Sequence, residues 1–204
     1  MSIGLMIVLK RFFRRKETIK SLGMDDVFKG SGFSDVPPHI FNRYPAPLPP
    51  DKKFEAYQVR FLVSVEYLER LFQVFMQAGY VVDPELNTQV MMKSSQETAA
   101  RKAMLFLNPA FAGVLVSFAS NDLDVLEAMQ CSIWIPPQPA ESFPWLDPQS
   151  LGSLQGDVEY WWNHLWLPFW VSLSLKEQAD FALEPEWREF MESHHISDDP
   201  VVAG

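Results

Sequence analysis

The chain has 204 residues, of which 48% are apolar and 21% charged, with a single cysteine and a formal net charge of −9. That length and composition suit one ordinary domain with a real core and exclude a disordered chain. The lone Cys131 excludes an internal disulfide and fits a reducing, cytoplasmic setting.

The charge is unevenly placed. Residues 1–20 hold six Lys and Arg against Glu17 alone, a net of +5, whereas residues 103–204 hold Lys176 and Arg188 against fifteen Asp and Glu, a net of −13. An acidic half disfavours nucleic acid, whose phosphates need Lys and Arg. It would steer a basic protein partner, or serve only to keep an aromatic-rich domain in solution.

The first sixteen residues read MSIGLMIVLKRFFRRK. The apolar run Ile3 to Leu9 is too short to span a bilayer, which takes about 20 residues. Its charges follow the apolar stretch, the reverse of a signal peptide. Residues 1–20 are therefore a basic amphipathic arm. It is a flexible tail, a helix on anionic lipid, or a helix packed on the domain or on another subunit. Lys10, Arg11, Phe12, Phe13, Arg14 and Arg15 would make the membrane or subunit contact.

Residues 21–53 form a Gly/Pro-rich extended segment. The FKGSGF piece is a turn signal and lacks the Gly-Lys-Ser/Thr of a phosphate loop. VPPHIFNRYPAPLPP holds six prolines and predicts a polyproline-like run over the surface or a linker, with Ile40, Phe41 and Tyr44 as pins.

A globular domain is expected over 54–195. FEAYQVRFLV reads as a strand, and SVEYLERLFQVFMQAG as a helix capped by Ser64 and stopped by Gly79. Its apolar face would be Tyr67, Leu68, Leu71, Phe72, Phe75 and Met76. LNTQVMMKS predicts a second strand. Ser94 and Glu97 have capping-box spacing and open a helix through about Phe106, which Asn108-Pro109 ends. FAGVLVSFAS, Phe111 to Ser120, is the clearest buried strand. Asn121 caps a short helix DLDVLEAMQ, and CSIWI, Cys131 to Ile135, reads as a further strand before Pro136-Pro137. The order β-α-β-α-β-α-β predicts an α/β or α+β fold: one sheet of about four strands layered by helices. A long loop follows.

The stretch from Asp157 to His195 carries five of the seven tryptophans: Trp161, Trp162, Trp166, Trp170 and Trp187. Two apolar stripes at helical spacing suit a buried helix, with Asp157 as N-cap and Pro168 ending or kinking it near Leu167. Ser174 and Glu177 form a capping box for a second helix, and Pro185 opens a third whose apolar face is Trp187, Phe190 and Met191. The segment is a helical layer over the sheet, or its rings form a partner surface. Residues 196–204 read as a flexible acidic tail.

Chemical signatures are sparse. The sequence has no HExxH, CxxC, EF-hand or GxSxG pattern. His164 reads as a hydrogen-bonded core residue. His194-His195 with Asp198-Asp199 could be drawn as a metal cluster, but neighbouring side chains diverge on a helix, so a frayed polar tail is expected. Cys131 reads as a small core residue. No cofactor and no metal are implied. The carboxylate pairs Asp122/Asp124 and Glu186/Glu189, near so many rings, would suit a carboxylate-dependent hydrolase, yet nothing selects two of them.

The sequence therefore points first to a non-enzymatic acidic binding protein, an inhibitor or immunity-type chain that neutralises a basic partner. Asp122, Asp124, Glu127, Trp145, Trp162, Glu186, Trp187 and Glu189 are the candidate contacts. A membrane-peripheral assembly component, attached by its basic N-terminal helix, is the alternative, and the hydrolase the third. The oligomeric state is left open.

Overall fold

The computed structural model describes residues 23–33, 35–49, 51, 54–93, 100–151 and 153–195. The basic arm with Lys10 to Arg15, the capping pair Ser94 and Glu97, and the tail 196–204 lie outside the described residues.

Strand β1, Tyr57–Val63, sends Tyr57, Val59, Phe61 and Val63 to one face of a sheet, with Gln58, Arg60 and Leu62 on the other. Its neighbour β4, Gly113–Ser120, pairs antiparallel with the whole length of β1. β3, Arg101–Ala110, pairs with β4, and β2, Thr88–Lys93, closes the sheet in the order β1-β4-β3-β2, antiparallel throughout. The fold class expected from the sequence, a four-stranded sheet layered by helices with a Trp-rich helical C-terminal region, is what the chain forms.

Two expected elements change identity. Residues 101–106, expected as helix, belong to β3. Ala103, Leu105 and Leu107 line one face, while Met104 and Phe106 pack on the other. A strand buried on both faces reads as a continuous apolar run, and such a run fits a helix equally well. Pro109, expected as a helix stop, is a strand residue paired with Val114. The Leu107 N–H donates to Asn87 O, so odd-numbered N–H groups of β3 face β2. Position 109 lies beyond the start of β2 at Thr88, so the N–H that proline lacks has no partner to lose.

Conversely, CSIWI is not a strand. Helix α3, Leu123–Gln130, runs up to it, and the Cys131 N–H closes the last turn on Glu127 O at 2.9 Å. Cys131 is exposed rather than a core residue. Trp134 is the buried anchor of this connection, its indole donating to Met129 O at 2.7 Å, and Ile135 O accepts from the Ser64 N–H at 2.9 Å. Asp122, not Asn121, caps α3, accepting from the Asp124 N–H. Asn121 instead clamps β3, accepting from Lys102 N–H at 2.7 Å and donating to Ala100 O.

The front layer is α2, Leu68–Gln77, and α3. A 3-10 turn, Val65–Tyr67, precedes α2, and Ser64 makes no side-chain cap bond there. The buried arc of α2 includes Val74, and Met76 is 50% exposed rather than part of the apolar face. The back face carries two patches. Helix α1, Met24–Phe28, sets Val27 and Phe28 against Phe54, Met104 and Ala119. The aromatic C-terminal helices cover the Leu62 end.

The proline-rich segment is a strap over the free edge of β1. Ile40 is buried in the front core, Pro47 bridges Val59, and the Leu48 N–H donates to Gln58 O. Such covering blunts an exposed strand edge. Gln130 pins the strap: its Nε2 donates to Ile40 O, Arg43 O and Pro45 O. In the FKGSGF turn, Gly30 and Gly32 both take positive φ, and the Gly32 N–H donates to the Glu55 carboxylate at 2.9 Å. That contact lowers the Glu55 pKa below its ordinary range.

Candidate functional site

After a short helix α4, Pro139–Ser142, the aromatic segment begins as α5, Gly156–Trp161, with Gln155 rather than Asp157 at the N-cap position and no side-chain cap bond there. It passes into a π turn, Trp162–Trp166, and continues as α6, Leu167–Trp170. Pro168 therefore neither ends nor breaks the helix. The Leu167 N–H reaches back five residues to Trp162 O, and this widened turn absorbs the proline, whose ring would otherwise crowd the carbonyl four residues earlier. Helix α7, Leu175–Asp180, carries the expected capping box: the Ser174 N–H donates to Glu177 at 2.8 Å and the Glu177 N–H to Ser174 Oγ. Helix α8, Pro185–His195, starts at the expected proline and buries Trp187, Phe190 and Met191.

Several candidate contacts turn out to be core. Trp162 packs edge-on to Phe190 at 5.2 Å, and Trp187 sits 6.1 Å from Trp161 and 5.5 Å from Phe190. Both are buried because the two apolar stripes close on α8 and on the Leu62 end of the sheet. Neither offers a ring to a partner.

Asp122 is also buried, at 2% exposure. Its carboxylate accepts from Lys93 Nζ at 2.6 Å and from the Tyr80 hydroxyl at 2.9 Å. Lys93 Nζ further donates to Ala78 O, and the Tyr57 hydroxyl donates to Asp122 O at 2.6 Å. This network ties β2, the end of α2 and the start of α3 together. Burial raises the pKa of Tyr57 and of Tyr80 above the ordinary phenol value, and the Asp122 charge adds to the shift.

The remaining candidates are available. Asp124 is 80% exposed, and Glu127, Glu186 and Glu189 are exposed. Trp145 is 74% exposed and leans edge-on against Phe143 at 6.0 Å. Asp122 and Asp124 sit at the start of α3 in the front layer, with Glu127 further along it, while Glu186 and Glu189 ride on α8 in the back layer. The two carboxylate pairs thus do not meet in one cleft.

Across residues 103–195, twelve Asp and Glu are exposed, and Lys176 is the exposed cation among the described residues there. Arg188 is half-buried, its guanidinium held by Gln178 O and Phe181 O. His164 is exposed, its ring tilted over Tyr160, and is not a core residue. His194 is not frayed: it stacks on Phe190 at 4.1 Å in the last turn of α8, with Nδ1 3.0 Å from Phe190 O. Among the described residues no group of His, Cys, Asp and Glu is placed to hold a metal, and no helix is long and apolar enough to cross a membrane.

One feature escaped the sequence reading altogether. A cleft of about 660 Å³ opens between the strap, the exit of α3 and the α6–α7 region. Arg43 and Tyr44 form one wall, Glu177, Asp180 and Phe181 line the α7 side, and Gln130, Trp134 and Phe169 contribute from between them. Two of these residues carry buried polar atoms without a hydrogen-bond partner: Gln130 Oε1 and the Tyr44 hydroxyl. Burial raises the pKa of Tyr44, so its phenol is a neutral donor and acceptor. The Ser174 hydroxyl and N–H lower the pKa of Glu177 and hold it as a carboxylate. No local pattern marks this cleft, because Gln130 and Ile40 are 90 positions apart.

Compared with known protein families, with curated proteins and with solved structures, the chain matches none.

Proposed function

We propose that this chain is a non-enzymatic acidic binding protein of the cytoplasm that captures and neutralises a basic protein partner, as an inhibitor or immunity-type protein does. The observation that carries the reading is the ratio of exposed charges over residues 103–195: twelve carboxylates against Lys176. Such a surface draws a cationic partner in from solution and rejects anionic ones. Asp124, Glu127, Glu186 and Glu189 supply steering. Trp145 supplies a rigid exposed anchor of the kind that dominates binding energy when a partner covers it.

The test is affinity capture from the native host with the full chain as bait, washed at low and high salt. One basic protein retained at low salt and released at high salt is expected. Recovery of no such protein, or of one indifferent to salt, overturns the reading. A chain lacking residues 1–16 is expected to capture equally well. Loss of capture on that deletion, with loss of binding to anionic vesicles, would move the function to the basic arm and to membrane-peripheral assembly.

A further inference from the structure

We propose that the free edge of β2 is the docking surface for a second copy of this chain, which pairs with it through its own β2. This contact stands apart from partner capture, and neither depends on the other. The sheet has two edges, and the chain treats them differently. The strap covers β1, with Pro47 bridged to Val59. On β2 the Asn87 carbonyl accepts from the Leu107 N–H, so odd-numbered residues bond β3, and the N–H and C=O groups of Thr88, Val90 and Met92 face outward. Among the described residues nothing bonds these outward groups. The usual protections of an edge are missing. β2 holds no proline, its register against β3 has no bulge, and its one charged side chain, Lys93, turns to the buried Asp122. Val90 is 40% and Met92 67% exposed, and both stand on the back face with Thr88, which pairs with the half-buried Phe106.

The edge is complementary to itself. A two-fold axis through Val90 sets Val90 against Val90 of the second copy, and Thr88 against Met92 of that copy. Every pair in this register is of the kind that exchanges both main-chain bonds, so all the outward groups are satisfied together. On the back face Val90 and Met92 of both copies then form one apolar cluster, flanked by Phe106 of each. Charge selects the same occupant. Residues 86–93 and 101–110 contain no Asp or Glu, so the strand pair offers no carboxylate to a basic partner. The exposed Asp83 and Glu85 lie just before β2. Antiparallel pairing brings them towards the far end of β2 in the other copy, where Lys93, Arg101 and Lys102 outnumber Asp122 and Asp124.

The experiment is sedimentation velocity of the full chain, with cysteine cross-linking to read the register. A concentration-dependent dimer is expected. In a Cys131→Ser background, Val90→Cys should oxidise to a covalent dimer, because bonded antiparallel pairs place Cα atoms about 5.5 Å apart, within disulfide range. Thr88→Cys and Met92→Cys should each stay uncoupled alone and cross-link when mixed. Met92→Lys and Val90→Pro should each weaken the dimer at least about tenfold. Both variants keep the fold, since the Met92 side chain is exposed and the Val90 N–H takes no part in the ladder to β3; an unchanged urea midpoint for Met92→Lys verifies this. Deleting residues 1–16 should leave the dimer intact. A chain that stays monomeric at millimolar concentration, a dimer that both edge variants leave unchanged, or cross-linking of Thr88→Cys alone as readily as the mixture overturns the proposal. Loss of the dimer on deleting residues 1–16 overturns it as well, and moves the contact to the basic arm.

Discussion

Replacing Asp122 with asparagine tests whether this residue is a structural tie or a partner contact. The carboxylate is 2% exposed and Lys93 is 18% exposed, so the pair is largely out of water. Breaking a buried pair by removing one charge typically costs about 3–5 kcal/mol. Lys93 also holds Ala78 O and lies 3.5 Å from the exposed Asp124, which gives it somewhere to go. Asparagine can still accept from Tyr80 and from the helix N–H. The expected loss is therefore at the low end, about 3 kcal/mol, or about 6–12 °C in Tm for a chain of this length. Lys93→Met alone should cost a similar amount, because it strands the carboxylate. The double variant should lose about 2 kcal/mol less than the sum, since both changes break one contact. Urea unfolding of the four proteins measures the cycle. A loss below about 1 kcal/mol in Asp122→Asn, or additivity within about 0.5 kcal/mol, would refute the argument. Weakened partner capture at unchanged stability would return Asp122 to the binding surface.

Further outcomes follow from the same structure. Tyr44, Tyr57 and Tyr80 have folded-state pKa values raised by burial, so their stabilising contribution is complete below the unfolded phenol pKa of about 10 and is lost as pH rises beyond it. Stability should then fall by up to about 1.4 kcal/mol per pH unit for each, and their phenolate absorbance should emerge only with unfolding; reversible ionisation of the three near pH 10 in the folded chain would contradict this. Trp162→Ala should cost about 3–5 kcal/mol in urea unfolding, whereas Trp145→Ala should stay within about 0.5 kcal/mol yet weaken partner capture. A Cβ at Gly113 would lie 2.6 Å from Pro137 Cγ and from Val63 O. Gly113→Ala should destabilise by about 1–3 kcal/mol, and an unchanged urea midpoint would show that the backbone there gives way freely.

What was legible in the sequence was local. The Ser174 and Glu177 box spans three residues and closes on itself, so its geometry follows from spacing alone. The same holds for Pro185 at a helix start and for the alternating face of β1. β3 was misread because its burial on two faces erased the alternation that identifies a strand. Cys131 was misplaced because a helix end and a strand start look alike when apolar residues follow, here the exposed Ile133 and the buried Trp134. Pro168 does disturb the α-helix next to Leu167, but it does not end it, because a π turn, a tertiary compromise with no sequence mark, makes room for the ring. The acidic surface was visible in the charge count, but Asp122, Trp162 and Trp187 were not distinguishable from exposed neighbours of the same type. The cleft was beyond reach, since its walls come from three separated stretches.

The strap pinned by Gln130 also sets an order of events during synthesis. Residues 37–49 leave the ribosome early, yet the amide that holds their carbonyls is made some ninety residues later, and Phe169, against which Tyr44 packs, later still. A nascent chain halted near residue 120 would hold all four strands but neither fastener. The edge of β1 would then have no secured cover while chains are crowded together, which is when strand edges pair with the wrong neighbour. The stretch from Gln130 to Phe169 thus acts as the closing clasp of the strap, and its emergence, not that of the sheet, marks the point at which the edge of β1 gains a secured cover.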